Sequence, residues 1–244
     1  MLEWYYSNGV LNSFTTLEAK LGKASEDLKA PILDIDNGSL SVKSELEISS
    51  DALDEVRSLE ELKKLILLDC DCALKKTAKN IVFSDGNPKS NIMFIGEAPG
   101  EVEDKKGKPF KGEAGKLLDR MLNAIELNRE NAYLTNIIFW RPPGNRKPTQ
   151  EEINACLPFV KKHIDLIKPK ILVLVGAIAA GAILNAQSGI TQIRGKWKNI
   201  ETKNVKKIKA IAIFHPAFLL RQPSRKREAW EDLKKIKIEI DTYT

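Results

Sequence analysis

The chain has 244 residues, 43% hydrophobic and 30% charged, with a formal net charge of +6. That apolar share can fill a sizeable core, and no apolar run nears the roughly 20 residues of a membrane-spanning helix, so no membrane contact is expected. Three cysteines, an odd number, argue against a disulfide framework and for a reducing cytoplasm, while the positive surplus leans towards a polyanionic partner without bearing on fold.

The opening MLEWYYSNGVLNSF lacks a basic segment followed by an apolar one, so no signal peptide is expected. Residues 1 to 50 are polar, rich in Ser and Asp, and weakly periodic beyond a short amphipathic start. Such a composition buries too little apolar area to offset ordering entropy and predicts a largely flexible N-terminal extension, a docked extension with partial helix being the alternative. A globular domain is expected over residues 51 to 244. It opens on ALDEVRSLEELKKLILLD, whose leucines Leu59, Leu62, Leu65, Leu67 and Leu68 recur at helical spacing.

Four nearly continuous apolar runs follow, NIMFIG, AYLTNIIF, KILVLVG and KAIAIFH. They predict short strands buried on both faces. Helical patterns separate them: EAGKLLDRMLNAIEL, TQEEINACLPFVKKHIDLI with Thr149 and Glu152 as a capping box, and AIAAGAILNA. SRKREAWEDLKKIKIEI closes the chain, with Ser224 as its candidate cap. Alternating strands and helices predict an α/β fold of three layers, α/β/α, around a short, mostly parallel sheet. Ligands of such sheets bind beyond the carboxyl ends of the strands. The loops GEAPGEVEDKKGKPF, TNIIFWRPPGNR and FHPAF would therefore meet on one rim.

That rim carries acids and no GxxxxGK[ST] or GxGxxG, which excludes a phosphate cradle of either kind. An acid/base reading fits better. Glu97 follows the first strand, where a carboxylate can orient a water. Phe110, after a proline, offers a flat apolar face, and Asn136 carries the donor and acceptor needed to read a base edge. His215 directly follows the last strand. Each has a blander alternative: a core phenylalanine, a turn-forming asparagine, a structural histidine. The other histidine, His163, sits mid-helix among lysines and is expected at the surface. Arg141, Arg146 and Lys147 on RPPGNRK, and Arg221, Arg225, Lys226 and Arg227 on LLRQPSRKR, are candidate phosphate contacts. Leu219 and Leu220 are either a wedge into the base stack or ordinary packing.

At these residues the sequence resembles the family 4 uracil-DNA glycosylases, through GEAPGEVEDKKGKPFKGEAGKLLDRML, TNIIFWRPPGNRKPTQEEINACLPF and HPAFLLR, over about residues 66 to 235. The resemblance implies a DNA repair enzyme, acting as a monomer on uracil-containing DNA, that flips uracil out and hydrolyses its N-glycosidic bond. It implies that Glu97 and Ala98 line the uracil pocket, with Glu97 placing the water. Phe110 would stack on the base, Asn136 would read its edge, and His215 would donate to O2. Leu219 and Leu220 would fill the vacated stack. In family 1 relatives an aspartate stands where this chain has Ala98. The family also carries a four-cysteine [4Fe-4S] cluster, not needed for the chemistry. Here Cys72 and Cys156 match two ligand positions, Cys70 lies beside a third taken by Asp69, and Trp140 takes the fourth, so the set is incomplete. Two alternatives stand beside this reading: a non-catalytic DNA-binding protein on the same scaffold, and a glycosylase for another deaminated base.

Overall fold

A computed structural model describes residues 50–243. The N-terminal extension expected over residues 1 to 50 lies outside them, apart from Ser50 itself. The described chain runs α1 (Ser50–Glu55), α2 (Leu59–Asp69), β1 (Asp85–Gly86), β2 (Ile92–Gly96), α3 (Glu101–Lys106), α4 (Glu113–Asn123) and β3 (Tyr133–Asn136). It continues as α5 (Gln150–Ile167), β4 (Ile171–Val175), α6 (Ala177–Leu184), α7 (Ile190–Ile193), β5 (Trp197–Ile200), β6 (Ile208–Ile213), α8 (Pro216–Arg221) and α9 (Lys226–Asp241).

The strands form one sheet in the order β1-β3-β2-β4-β6-β5. Its four central strands are parallel, and the edges β1 and β5 are antiparallel to their neighbours. Alternate side chains leave a strand on opposite faces, and the core divides accordingly. Met93, Ile95, Leu172 and Leu174 pack with α2 and α5 on one face. Phe94, Val173, Ile211 and Ile213 pack with α4 and α9 on the other. The three-layer α/β/α fold is thus present. No helix among the described residues is long and apolar enough to cross a membrane.

Local chemistry sets the helix ends. The segment read as one helix from residue 52 is two, because Ser58 caps α2 in a capping box with Glu61. Thr149 and Glu152 form the expected capping box of α5. Ser224 caps nothing: a short 3-10 turn, Pro223–Arg225, leads into α9, which starts without a side-chain cap. The edge strands were not anticipated, β1 being two residues long and β5 alternating with polar residues.

His163 also departs from expectation. It is fully buried, its ring stacked on Phe83 at 4.5 Å, and its Nε2 lies 2.7 Å from the Tyr133 hydroxyl. Burial pushes its pKa down to about 3, so the ring is neutral.

Candidate active site

Parallel pairing places the carboxyl ends of β2, β3, β4 and β6 on one edge, and a cavity of about 270 Å³ opens there. Glu97, Ala98, Phe110, Asn136 and His215 all line it. The ladder between β2 and β3 continues past the strand ends: Ile137 N–H donates to Gly96 O at 2.9 Å and Ile138 N–H to Glu97 O at 3.1 Å. Glu97 is therefore fixed by backbone pairing before its side chain reaches the cavity. Burial pushes its carboxyl above the usual range, against the opposing pull of Lys147 and Arg221.

Glycine is required at position 96, since a Cβ there would lie 2.4 Å from both Asn136 Oδ1 and the Phe110 ring. These two side chains thus close over the end of β2. Asn136 is buried, yet its amide bonds to no described residue. An amide left so pays a desolvation cost unless a ligand or water in the cavity satisfies it.

His215 serves two purposes. Its Nδ1 accepts from Ala217 N–H at 3.1 Å and so caps α8. That bond assigns the ring proton to Nε2, which bonds to no described residue and belongs to a cavity-lining ring. Burial, aided by Arg221, pushes its pKa down to about 4, so near neutral pH the ring is an uncharged Nε2–H donor.

The Phe110 ring stands 6.2 Å from the His215 ring, tilted by 29°. Its backbone is left-handed, φ 55°, a conformation that costs a bulky residue roughly 1–3 kcal/mol unless its surroundings impose it. Two charged groups impose it. Glu103 accepts from Lys111 N–H at 2.7 Å and Gly112 N–H at 2.6 Å with one oxygen, and from Gly100 N–H at 3.1 Å with the other. From the opposite side the Arg129 guanidinium donates to the carbonyls of Pro109 and Phe110. Arg129 is itself anchored on Asp85 at 2.7 Å and Asp119 at 3.0 Å. Burial alone would raise the Asp85 pKa, but bonds from Lys111 and Arg129 hold it down to about 2. Neither Glu103 nor Arg129 was singled out from sequence as a support of Phe110. Glu103 has a local mark only as the capping-box partner of Gly100; the bonds that hold Phe110 run to backbone groups eight to twenty residues away.

The basic residues divide. Arg221, Arg225 and Lys226 are exposed around α8 and the start of α9. Arg146, which also lines the cavity, is paired in bidentate fashion with Glu152, at 2.6 and 2.9 Å, as Arg225 is paired with Glu228 at 2.6 Å. Arg141 bonds Asn145 at 2.8 Å. The leucine pair also divides: Leu219 is 1% exposed and belongs to the core, whereas Leu220 is 43% exposed. A wedge can use Leu220 alone.

The cysteines meet in the core on the face of the sheet covered by α2 and α5. Cys70, Cys72 and Cys156 are buried and free, with Cys70 Sγ 4.0 Å from Cys156 Sγ. Hydrogen bonds with Cys70 and Cys72, together with burial, push the Cys156 thiol far up. Trp140 is packed into the same cluster, and Asp69 lies exposed at the end of α2. An iron–sulfur cluster wants four thiolates. The chain has three cysteines, and an indole supplies no ligand in place of a fourth. Among the described residues no group of His, Cys, Asp and Glu could hold a metal ion. The residues do not fit a [4Fe-4S] cluster.

Residues 83–234 match the family described as the uracil DNA glycosylase superfamily. The type-4 uracil-DNA glycosylase of Archaeoglobus fulgidus is 42% identical over 185 residues, covering 74% of this chain and 92% of that protein. Those of Sulfurisphaera tokodaii and Saccharolobus solfataricus are 42% and 41% identical, covering 74% and 68% of this chain and 84% and 79% of theirs. The chain belongs to the uracil DNA glycosylase superfamily, among its type-4 members.

Proposed function

We propose that this protein is a uracil-DNA glycosylase, a hydrolase of N-glycosyl bonds that excises uracil from DNA and leaves an abasic site. The observation that carries the reading is the pairing, in one cavity, of a neutral His215 with an Asn136 amide, neither the His215 Nε2–H nor that amide bonding to another described residue. A base must leave the stack to be attacked. Extruded uracil would lie against the Phe110 ring. Asn136 Oδ1 would accept from N3–H while Nδ2 donates to O4, a pattern that cytosine inverts.

As the bond from C1′ to N1 breaks, its electron pair passes to the uracil ring and negative charge grows at O2. His215 Nε2–H is a donor aimed at that charge, acting where water is excluded. The sugar becomes oxocarbenium-like. The Glu97 carboxylate would stabilise it and orient a water onto C1′, and the water's proton leaves through Glu97. Leu220 fills the vacated stack, while Arg221, Arg225 and Lys226 hold phosphates. The unpaired, buried cysteines support a reducing cytoplasm, and we read the working form as a monomer.

Single-turnover cleavage of an oligonucleotide with one uracil, revealed by alkali, tests this directly. Wild type should cut it, and Asn136→Asp should lose uracil and gain activity towards cytosine, because a donor becomes an acceptor. An intact wild type that leaves uracil untouched sinks the reading. Unchanged selectivity in the variant removes Asn136 from base recognition.

A further inference from the structure

A second concavity adjoins the active site, a groove of about 190 Å³. Leu117, Leu219 and Leu233 floor it, Trp230 forms a wall, and Arg120 and Lys226 stand at its rim. It shares α4 and α8 with the cavity, and α9 adds Lys226, Ala229, Trp230 and Leu233. On α4, Ala114 and Gly115 line the cavity while Leu117 and Arg120 line the groove. Around α8, His215 lines the first and Leu219 the second, four residues further on. At ~1.5 Å of rise per residue the offset is roughly 6 Å. That is about two stacked nucleotides at ~3.4 Å each.

The groove's chemistry suits a nucleotide. Trp230 is a large aromatic residue left 43% exposed, which costs solvation unless its face is used. Neither Arg120 nor Lys226 makes a salt bridge among the described residues, and Arg225 and Arg227 flank Lys226 in the chain. An aromatic face beside unpaired cations is the composition that binds unpaired bases: the ring stacks on the base and the cations take its phosphates.

We infer that this groove is a second base-binding subsite, in which Trp230 stacks an unpaired base one or two positions from the uracil while Lys226 and Arg120 hold its phosphates. The inference rests on the glycosylase reading and extends it to single-stranded DNA, whose flanking bases are free to enter. In a duplex those bases are paired and the groove stays empty, so the subsite favours single-stranded substrate.

The test uses the full chain and single-stranded oligonucleotides with one uracil and one base-less spacer, walked through the flanking positions. Wild-type kcat/KM should fall about tenfold when the spacer occupies one particular flanking position, with kcat nearly unchanged. Trp230→Ala should show that loss on the fully based oligonucleotide and no further loss with the spacer, and Trp230→Phe should restore the wild-type pattern. Lys226→Gln should lessen the salt dependence of binding by about one phosphate contact. A flat spacer profile in an enzyme that excises uracil normally overturns the subsite and leaves the glycosylase standing, the groove then serving some other partner. Spacer losses of equal size in wild type and Trp230→Ala overturn it as well. Failure to excise uracil from any of these oligonucleotides counts against the glycosylase reading itself, and anisotropy with the same spacer series then judges the groove by binding alone.

Discussion

The chain's two histidines sit in contrasting regions, His215 at the mouth of the cavity and His163 in the core under the sheet. Both are kept neutral by burial, with pKa values near 4 and 3. What separates them is the nitrogen each has left. His215 spends Nδ1 on the cap of α8 and presents Nε2–H to the cavity. His163 spends Nε2 on Tyr133 and leaves Nδ1 buried without a partner. A neutral ring is thus not a catalytic ring. The free nitrogen must face space that a ligand can enter.

Replacing each histidine by glutamine sharpens the contrast. His215→Gln should lower single-turnover excision about 10²- to 10³-fold, the usual cost of one charge-stabilising donor. His163→Gln should leave that rate at neutral pH unchanged in protein that remains folded. Equal losses in both would break the comparison.

Acid should separate them next. The folded His163 pKa, about 3, lies below the unfolded value near 6.5, so below pH 6.5 the unfolded chain binds the extra proton. Stability should therefore fall with pH across the window from 6.5 to 3, by about 2 kcal/mol on reaching pH ~5. Denaturant titrations should show a shallower slope in His163→Gln than in wild type, the remainder coming from His215, whose pKa near 4 links its own protonation to unfolding. Excision has its own acid limb. Glu97, raised by burial, should protonate before His215 does, so the rate falls as pH drops through the Glu97 value first. A limb of the same midpoint in Glu97→Gln would show that another group sets it.

The smallest expected effect lies at the support of Phe110. Arg129→Gln removes a clamp on a left-handed backbone and should raise KM about tenfold while kcat changes less, since the stacking face is displaced and the donor is not. Loss of kcat with KM intact would place Arg129 in another role.

Much of this was legible in the sequence, for identifiable reasons. The central strands announced themselves because burial on both faces demands unbroken apolar runs. The rim residues followed from the rule that ligands sit beyond parallel strand ends. His163 was misread through its neighbours Lys161 and Lys162, although adjacent residues on a helix point to different faces. Its partners at helical spacing, Phe159, Val160 and Ile167, are all buried and gave the better signal. The exposed and buried halves of Leu219-Leu220 could not be told apart, because either leucine suits either role until α8 is packed on α4. The clamp on Phe110 was out of reach, since a salt-bridged arginine and a backbone carbonyl nineteen residues apart leave no local trace.

The cap on α8 carries one more consequence. The nitrogen that starts this six-residue helix belongs to the ring proposed to meet uracil O2, and Leu220, the proposed wedge, rides on the same helix. Probe and donor are therefore two ends of a short rigid lever. If both proposed roles hold, pressure from the base stack on Leu220 would reach the His215 ring through the helix itself, tying the chemistry to whether the gap in the DNA has been filled.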